Sequence, residues 1–185
     1  MPFAGVPGCV RFRAVRGARW REKNHVDEPG MHRIERYRAL CADGRALDEQ
    51  TTLTDIHQRR WKPSTIVRLE WDCGGKPIEV SHVYGLMAQL LPDRSAVAIL
   101  RASLRSRFAP ALEVIEPNGR TRFTLTSPIR IEGRDVLGEF AWFESPNDRR
   151  GRVVRMVFWS SAGDRYFLLD VDAADGRITG VMALQ

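Results

Sequence analysis

The stretch Val97 to Leu125, VAILRASLRSRFAPALEVIEPNGRTRFTL, decides the fold, because it can be laid without a gap on Val154 to Met182, VRMVFWSSAGDRYFLLDVDAADGRITGVM. Val97 falls on Val154, Ile99 on Met156, Leu112 on Leu169 and Val114 on Val171, while Asn118-Gly119-Arg120 falls on Asp175-Gly176-Arg177. Strand, connection, strand, Asn/Asp-Gly turn and strand are thus written twice. One such antiparallel unit cannot bury its own apolar face, so two copies imply sheets that stack or curl on each other.

The rest of the chain from Ile34 onward follows the same rhythm, with short strand-like runs broken by Gly, Asn, Asp or Pro. Ala42-Asp43-Gly44-Arg45, Pro117-Asn118-Gly119-Arg120 and Ala174-Asp175-Gly176-Arg177 each set a Gly-containing pair between apolar runs, the signature of a type I′ hairpin turn. Cys73-Gly74-Gly75-Lys76 predicts a fourth hairpin, between Ile66 to Asp72 and Ile78 to Val83. Alternation predicts strands at Thr65 to Trp71, Ala96 to Arg101, Ala111 to Glu116, Arg120 to Leu125, Glu139 to Glu144, Arg152 to Trp159, Tyr166 to Asp172 and Arg177 to Leu184.

Two segments are ambiguous. His82 to Leu91 places Val83, Leu86, Met87, Leu90 and Leu91 on a helical stripe, while Gly85 and Pro92-Asp93 suit a strand ending in a turn. Thr52 to Arg60 offers a second short helix with Thr52 or Thr54 as its cap. The expectation is an all-β domain of antiparallel sheets built from repeated hairpin units, with one or two short helices. A barrel and a sandwich both satisfy it, and the chain is long enough for only a partial propeller-like arrangement.

Residues 1–30 read differently: Pro2, Pro7, Pro29 and four glycines interrupt any period, so a disordered or non-native arm precedes a single β domain over residues 31–185. The net charge of +6 comes from 29 basic and 23 acidic residues, and half of the excess lies before Met31. Only Lys23, Lys62 and Lys76 are lysines, an Arg bias that a GC-rich genome produces without any polyanionic ligand. No run approaches the roughly 18 apolar residues of a membrane span. Cys9, Cys41 and Cys73 are odd in number and widely spaced, so neither a disulfide framework nor a zinc site is signalled, and a reducing cytoplasm is the expected location.

No motif carries chemistry. Asp170-Val171-Asp172-Ala173-Ala174-Asp175-Gly176 clusters carboxylates before a glycine, but counted from Asp170 the fifth position is Ala174 and the twelfth is Val181, which breaks calcium-loop spacing. His25, His32, His57 and His82 include no local metal clamp, and neither a nucleophile elbow nor a phosphate-binding glycine loop is present. No cofactor and no metal are expected.

What remains is surface chemistry. Arg101, Arg105 and Arg107 form one basic cluster; Arg149, Arg150, Arg152 and Arg155 form another, with Trp142, Phe143, Phe158 and Trp159 nearby. The leading reading is a non-enzymatic binding domain of inhibitor, immunity-factor or adaptor type that engages a protein partner. Arg59, Arg60, Trp61, Arg149, Arg150 and Arg152 would form the contact rim, since Trp and Arg most often anchor interfaces. A nucleic-acid-binding β domain is the first alternative, and a small-ligand carrier or enzyme with its site in a barrel mouth is the second. Oligomeric state is not written in these patterns.

Overall fold

A computed structural model describes residues 33–48, 50–51, 55, 58, 65–106, 108–145 and 151–184. Thirteen strands follow in chain order: β1 (Glu35–Cys41), β2 (Ala46–Asp48), β3 (Ile66–Cys73), β4 (Lys76–Leu90), β5 (Val97–Arg101), β6 (Ala111–Ile115), β7 (Thr121–Thr126), β8 (Ile129–Ile131), β9 (Arg134–Val136), β10 (Gly138–Glu144), β11 (Val153–Ser160), β12 (Arg165–Asp172) and β13 (Ile178–Leu184). They form a seven-stranded sheet ordered β2-β1-β3-β4-β5-β6-β7, a four-stranded sheet ordered β10-β11-β12-β13 and a small β8-β9 ribbon. Every pairing is antiparallel. Among the described residues neither large sheet closes on itself, so the architecture is layered and there is no barrel mouth to hold a site. No helix among them is long and apolar enough to cross a membrane.

The two sheets meet face to face over one core. Ala98, Leu100, Leu112 and Val114 from the first sheet pack with Phe140, Val154, Met156, Phe158, Leu169 and Val171 from the second. The seven-stranded sheet also curls and fills a second core with its opposite face, where Ala39, Leu69 and Trp71 meet Val97, Ile99 and Ile115. Trp71 fixes that curl by donating its Nε1–H to the Pro117 carbonyl at 2.7 Å, linking β3 to the β6–β7 turn. Strand β5 therefore has a core on each side, which explains why Val97 through Leu100 form an unbroken apolar run and are all fully buried.

The written repeat is real, with one correction. The units β5-β6-β7 and β11-β12-β13 are both three-stranded meanders, and Leu112, Val114, Leu169 and Val171 all face the shared core. The first strands, however, are offset by one residue from the ungapped alignment. Val114 pairs with Ala98, whereas its counterpart Val171 pairs with Val154. Since one residue exchanges the faces of a strand, Val97 points into the second core while Val154 points into the first. Burial on both faces of β5 removes the penalty that would otherwise hold its register to that of β11.

The turns also differ from expectation in type. At Gly44 and Gly119 the loop has three residues: Gly44 donates to the Cys41 carbonyl while Cys41 donates to Arg45, and Gly119 and Glu116 repeat the pattern with Arg120. Only the glycines take positive φ, +81° at Gly44 and +86° at Gly119. Asp43, Asn118 and Asp175 use their side-chain oxygens to accept the amides of Arg45, Arg120 and Arg177. That local bond explains Asn/Asp before Gly without a positive φ at both positions. Gly74 and Gly75, at φ 55° and 77°, do form the two-residue loop with both central residues positive.

The stretch with the helical stripe is strand. Leu86, Ala88 and Leu90 pack into the second core and Met87 into the first, so burial on two faces imitates a helical spacing. Of Thr52 to Arg60, only Asp55 and Gln58 are described, and both are helical. The ribbon β8-β9 has no counterpart in the sequence reading.

Candidate functional site

Strand β4 is interrupted where it passes β3. Arg68 pairs with Ser81 and Ile66 with Leu86, so Val67 alone stands opposite His82, Val83, Tyr84 and Gly85. Three surplus residues must leave the sheet, and they leave as a bulge whose closing residue has to be glycine. Gly85 has φ +95°, and a Cβ there would lie 2.0 Å from Thr65 Cγ2. The bulge is internally fixed: the His82 ring bonds through Nδ1 to the Gly85 carbonyl at 3.1 Å, which makes that nitrogen the donor, and it stands edge-on to Tyr84. Its tip is exposed, Val83 at 79% and Tyr84 at 47%.

The β5–β6 loop is drawn against this bulge. Ala102 donates to the Gly85 carbonyl at 2.9 Å, and Arg101 reaches the Ser81 carbonyl at 3.2 Å. Within the loop, Ser103 Oγ accepts the Arg105 amide and Ser106 Oγ accepts the Phe108 amide while donating to Glu139. Ala109 and Phe140 exchange both backbone hydrogen bonds, at 2.9 and 2.8 Å, which anchors the loop to the second sheet. A bulge and a loop that would each be mobile alone thus brace one another.

Between them lies an open cleft of about 430 Å³, lined by His82, Tyr84, Arg101, Leu104, Arg105 and Glu113 among others. Arg101 is bound bidentately to Glu113 at 2.7 and 3.1 Å, so its charge is committed inside the protein. Arg105 is exposed, and among the described residues its guanidinium has no partner. Leu104 is 74% exposed beside it. The cleft therefore combines a Tyr ring, an exposed leucine, a histidine and, among the described residues, one cation outside any ion pair, on a braced backbone. Such a mixture suits recognition of a protein surface, with apolar anchors and a polar rim.

Among the described residues no group of His, Cys, Asp and Glu is placed to hold a metal ion. His82 is held by the Gly85 carbonyl of its own bulge, and Cys41 and Cys73 are both buried in the fold.

Of the residues singled out from sequence, Arg59, Arg60, Trp61, Arg149 and Arg150 lie outside the described residues, as do His57 and Arg107. Arg152 is exposed and its carbonyl accepts the Ala173 amide, which puts it beside the β12–β13 turn and away from the cleft. Arg155 is half-buried against Asp170, with bonds of 2.6 and 2.7 Å that hold its guanidinium pKa above the ordinary value despite the opposing effect of burial. The four aromatics near it divide: Phe158 and Phe143 pack in the core, while Trp142 and Trp159 lie on the outer face of the second sheet with Phe108 and Tyr166. The signal for the cleft was Gly85 inside a strand pattern, which marks a bulge.

No family model and no curated protein matches this chain. Among solved structures, it is similar to a chain in the structure of Tne2 in complex with Tni2, with a TM-score of 0.75 and 24% identity over 82% of this chain and 99% of that one. The likeness is one of fold, and it extends over nearly the whole of a chain found in a complex between two proteins.

Proposed function

We propose that this chain is a non-enzymatic binding domain of inhibitor or immunity type, acting in a reducing compartment, and that it engages its protein partner through the bulge of β4 and the β5–β6 loop. The observation that carries the reading is the bulge itself. Four residues opposite one, closed by a glycine at φ +95°, lift Val83 and Tyr84 out of a sheet whose other register shifts, in β1–β3 and β6–β7, are each of a single residue. Backbone distortion of this kind has a cost, and it persists where it presents side chains for use. The similarity to a chain from the Tne2–Tni2 complex supports a protein as the partner.

The test is capture of the partner from source cells by tagged protein under nuclease, with wild type and a Tyr84→Ala/Leu104→Ala/Arg105→Ala variant in parallel. All three side chains are exposed, so the variant is expected to keep its unfolding midpoint. A stoichiometric protein retained by wild type and lost by the variant supports the reading. Recovery unchanged by the variant places the interface elsewhere, and nucleic acid released by salt favours the alternative partner class.

A further inference from the structure

The side chains of the cleft between the bulge and the β5–β6 loop offer hydrogen-bond donors in excess of acceptors. Arg105, Tyr84 and Ser103 line it, and each carries a donor. Ser103 Oγ already accepts the Arg105 amide at 3.2 Å, which leaves its hydroxyl proton to be given. Among the described residues neither hydroxyl has an acceptor for its proton, and Arg105 stands outside any ion pair. The side-chain acceptors on the lining are Glu113 and His82. Glu113 commits both oxygens to Arg101, at 2.7 and 3.1 Å, and Arg101 turns its remaining nitrogen to the Ser81 carbonyl. His82 is tied through Nδ1 to the Gly85 carbonyl and keeps only Nε2.

The charges point the same way. The arginines and the carboxylate on the lining are Arg101, Arg105 and Glu113, and the Arg101–Glu113 pair cancels internally, so the cleft carries the single positive charge of Arg105. The backbone beneath that charge is fixed by the Ser103 bond to the Arg105 amide and by the Ser103–Ser106 bridge across the loop. A single charge on a planar fork of N–H groups matches a carboxylate in both charge and geometry. A phosphate dianion would bring a second negative charge close to Glu113 with no cation to meet it.

We propose that the protein partner presents an aspartate or glutamate to this cleft, its carboxylate paired with the Arg105 guanidinium and served by the Ser103 and Tyr84 hydroxyls. The inference rests on the cleft being the partner-binding site and adds what the partner must carry there. A carboxylate has about four acceptor sites, enough for the three donors. Leu104, Pro110 and Ala111 on the same lining provide apolar contact for its aliphatic stem. A partner with an apolar side chain in this place would bury the guanidinium unpaired, and one with a lysine or arginine would oppose it with like charge, so the cleft selects against both.

The experiment titrates the protein that wild type captures against the full chain and its Arg105→Met, Arg105→Glu, Arg105→Lys and Tyr84→Ala variants, each checked by thermal unfolding. Binding is expected to weaken about tenfold or more in Arg105→Met and about a hundredfold or more in Arg105→Glu, where attraction becomes repulsion. Arg105→Lys keeps the charge and should stay within about tenfold of wild type. In its complex a carbodiimide should join the amine at position 105 to an Asp or Glu of the partner, located by mass spectrometry. Wild-type affinity in Arg105→Glu, or no coupling of position 105 to a partner carboxylate, overturns the proposal. If Tyr84→Ala loses binding while Arg105→Glu does not, the carboxylate fails and the cleft stands; if both variants bind as wild type, the cleft fails with it. Nucleic acid captured in place of a protein overturns both.

Discussion

Ala102 donates its amide to the carbonyl of Gly85 at 2.9 Å, and this bond joins the loop after β5 to the residue that closes the bulge in β4. The two segments come from strands that pair regularly up to this point, Leu86 with Arg101 being the last rung of the ladder. Beyond it the chain departs from sheet geometry on both sides, and the departures hold each other.

Gly85→Ala should therefore be more damaging than the same change at a surface turn. At Gly85 the new methyl would lie 2.0 Å from Thr65 Cγ2 and φ is +95°, whereas at Gly44 φ is +81° with nothing within 4 Å. The expectation is about 1 to 3 kcal/mol lost at Gly85, where backbone strain is joined by the need for Thr65 to change rotamer, against about 1 kcal/mol at Gly44 from backbone strain alone. Denaturant unfolding of the two variants measures the difference, and equal losses would contradict the packing described for the bulge.

Trp71→Phe should cost about 1 to 3 kcal/mol, because it removes the indole donor from Pro117 and leaves part of the second core unfilled. The 2.7 Å bond spans the curl of the seven-stranded sheet, so hydrogen exchange should rise in the β6–β7 turn as well as around β3.

Arg155 and Asp170 should show a coupling of about 1 kcal/mol in a double-mutant cycle, near the upper end for pairs of this exposure. The raised guanidinium pKa fixes the sign of the pH dependence. The contribution is fully present below the unfolded value and is lost only as pH rises through the still higher folded one, so varying pH around neutrality should leave the arginine's part of the coupling unchanged.

Asp48 behaves in the opposite sense. The Thr51 hydroxyl, at 2.7 Å, is the main cause that holds its carboxyl below the ordinary value, with burial opposing it. Its stabilisation is present above the unfolded carboxylate pKa and is lost as pH falls through the lower folded one. Thr51→Ala should raise the pKa of Asp48 in an NMR titration, and the stability it removes should be missing at neutral pH and make no difference in acid, where the carboxyl is protonated in both proteins.

Much of this architecture is legible from local chemistry. Asn118-Gly119, Asp175-Gly176 and Gly74-Gly75 mark hairpins because few residue pairs reverse a chain so readily, and Leu112 with Val114 declares a buried face by alternation alone. The register of β5 against β11 is not legible, because Val97 to Leu100 are buried on both sides and the alternation that would set their phase is absent. The same cause hid the strand at Leu86 to Leu90 behind a helical spacing. Bulky aromatics such as Trp142 and Trp159 usually belong to a core, and their place on an outer sheet face, partly covered by Phe108 from a loop distant in sequence, is not written locally. The cleft joins β4 to the β5–β6 loop through the bulge, and only Gly85 announces it beforehand.

The most direct test of the central claim is hydrogen exchange of the full chain, free and bound to the protein it captures. Partner-dependent protection centred on His82 to Gly85 and on Ser103 to Ser106, reduced by the Tyr84→Ala/Leu104→Ala/Arg105→Ala variant, is the predicted result. Protection confined to other surfaces, with these two segments exchanging as in the free protein, would contradict it.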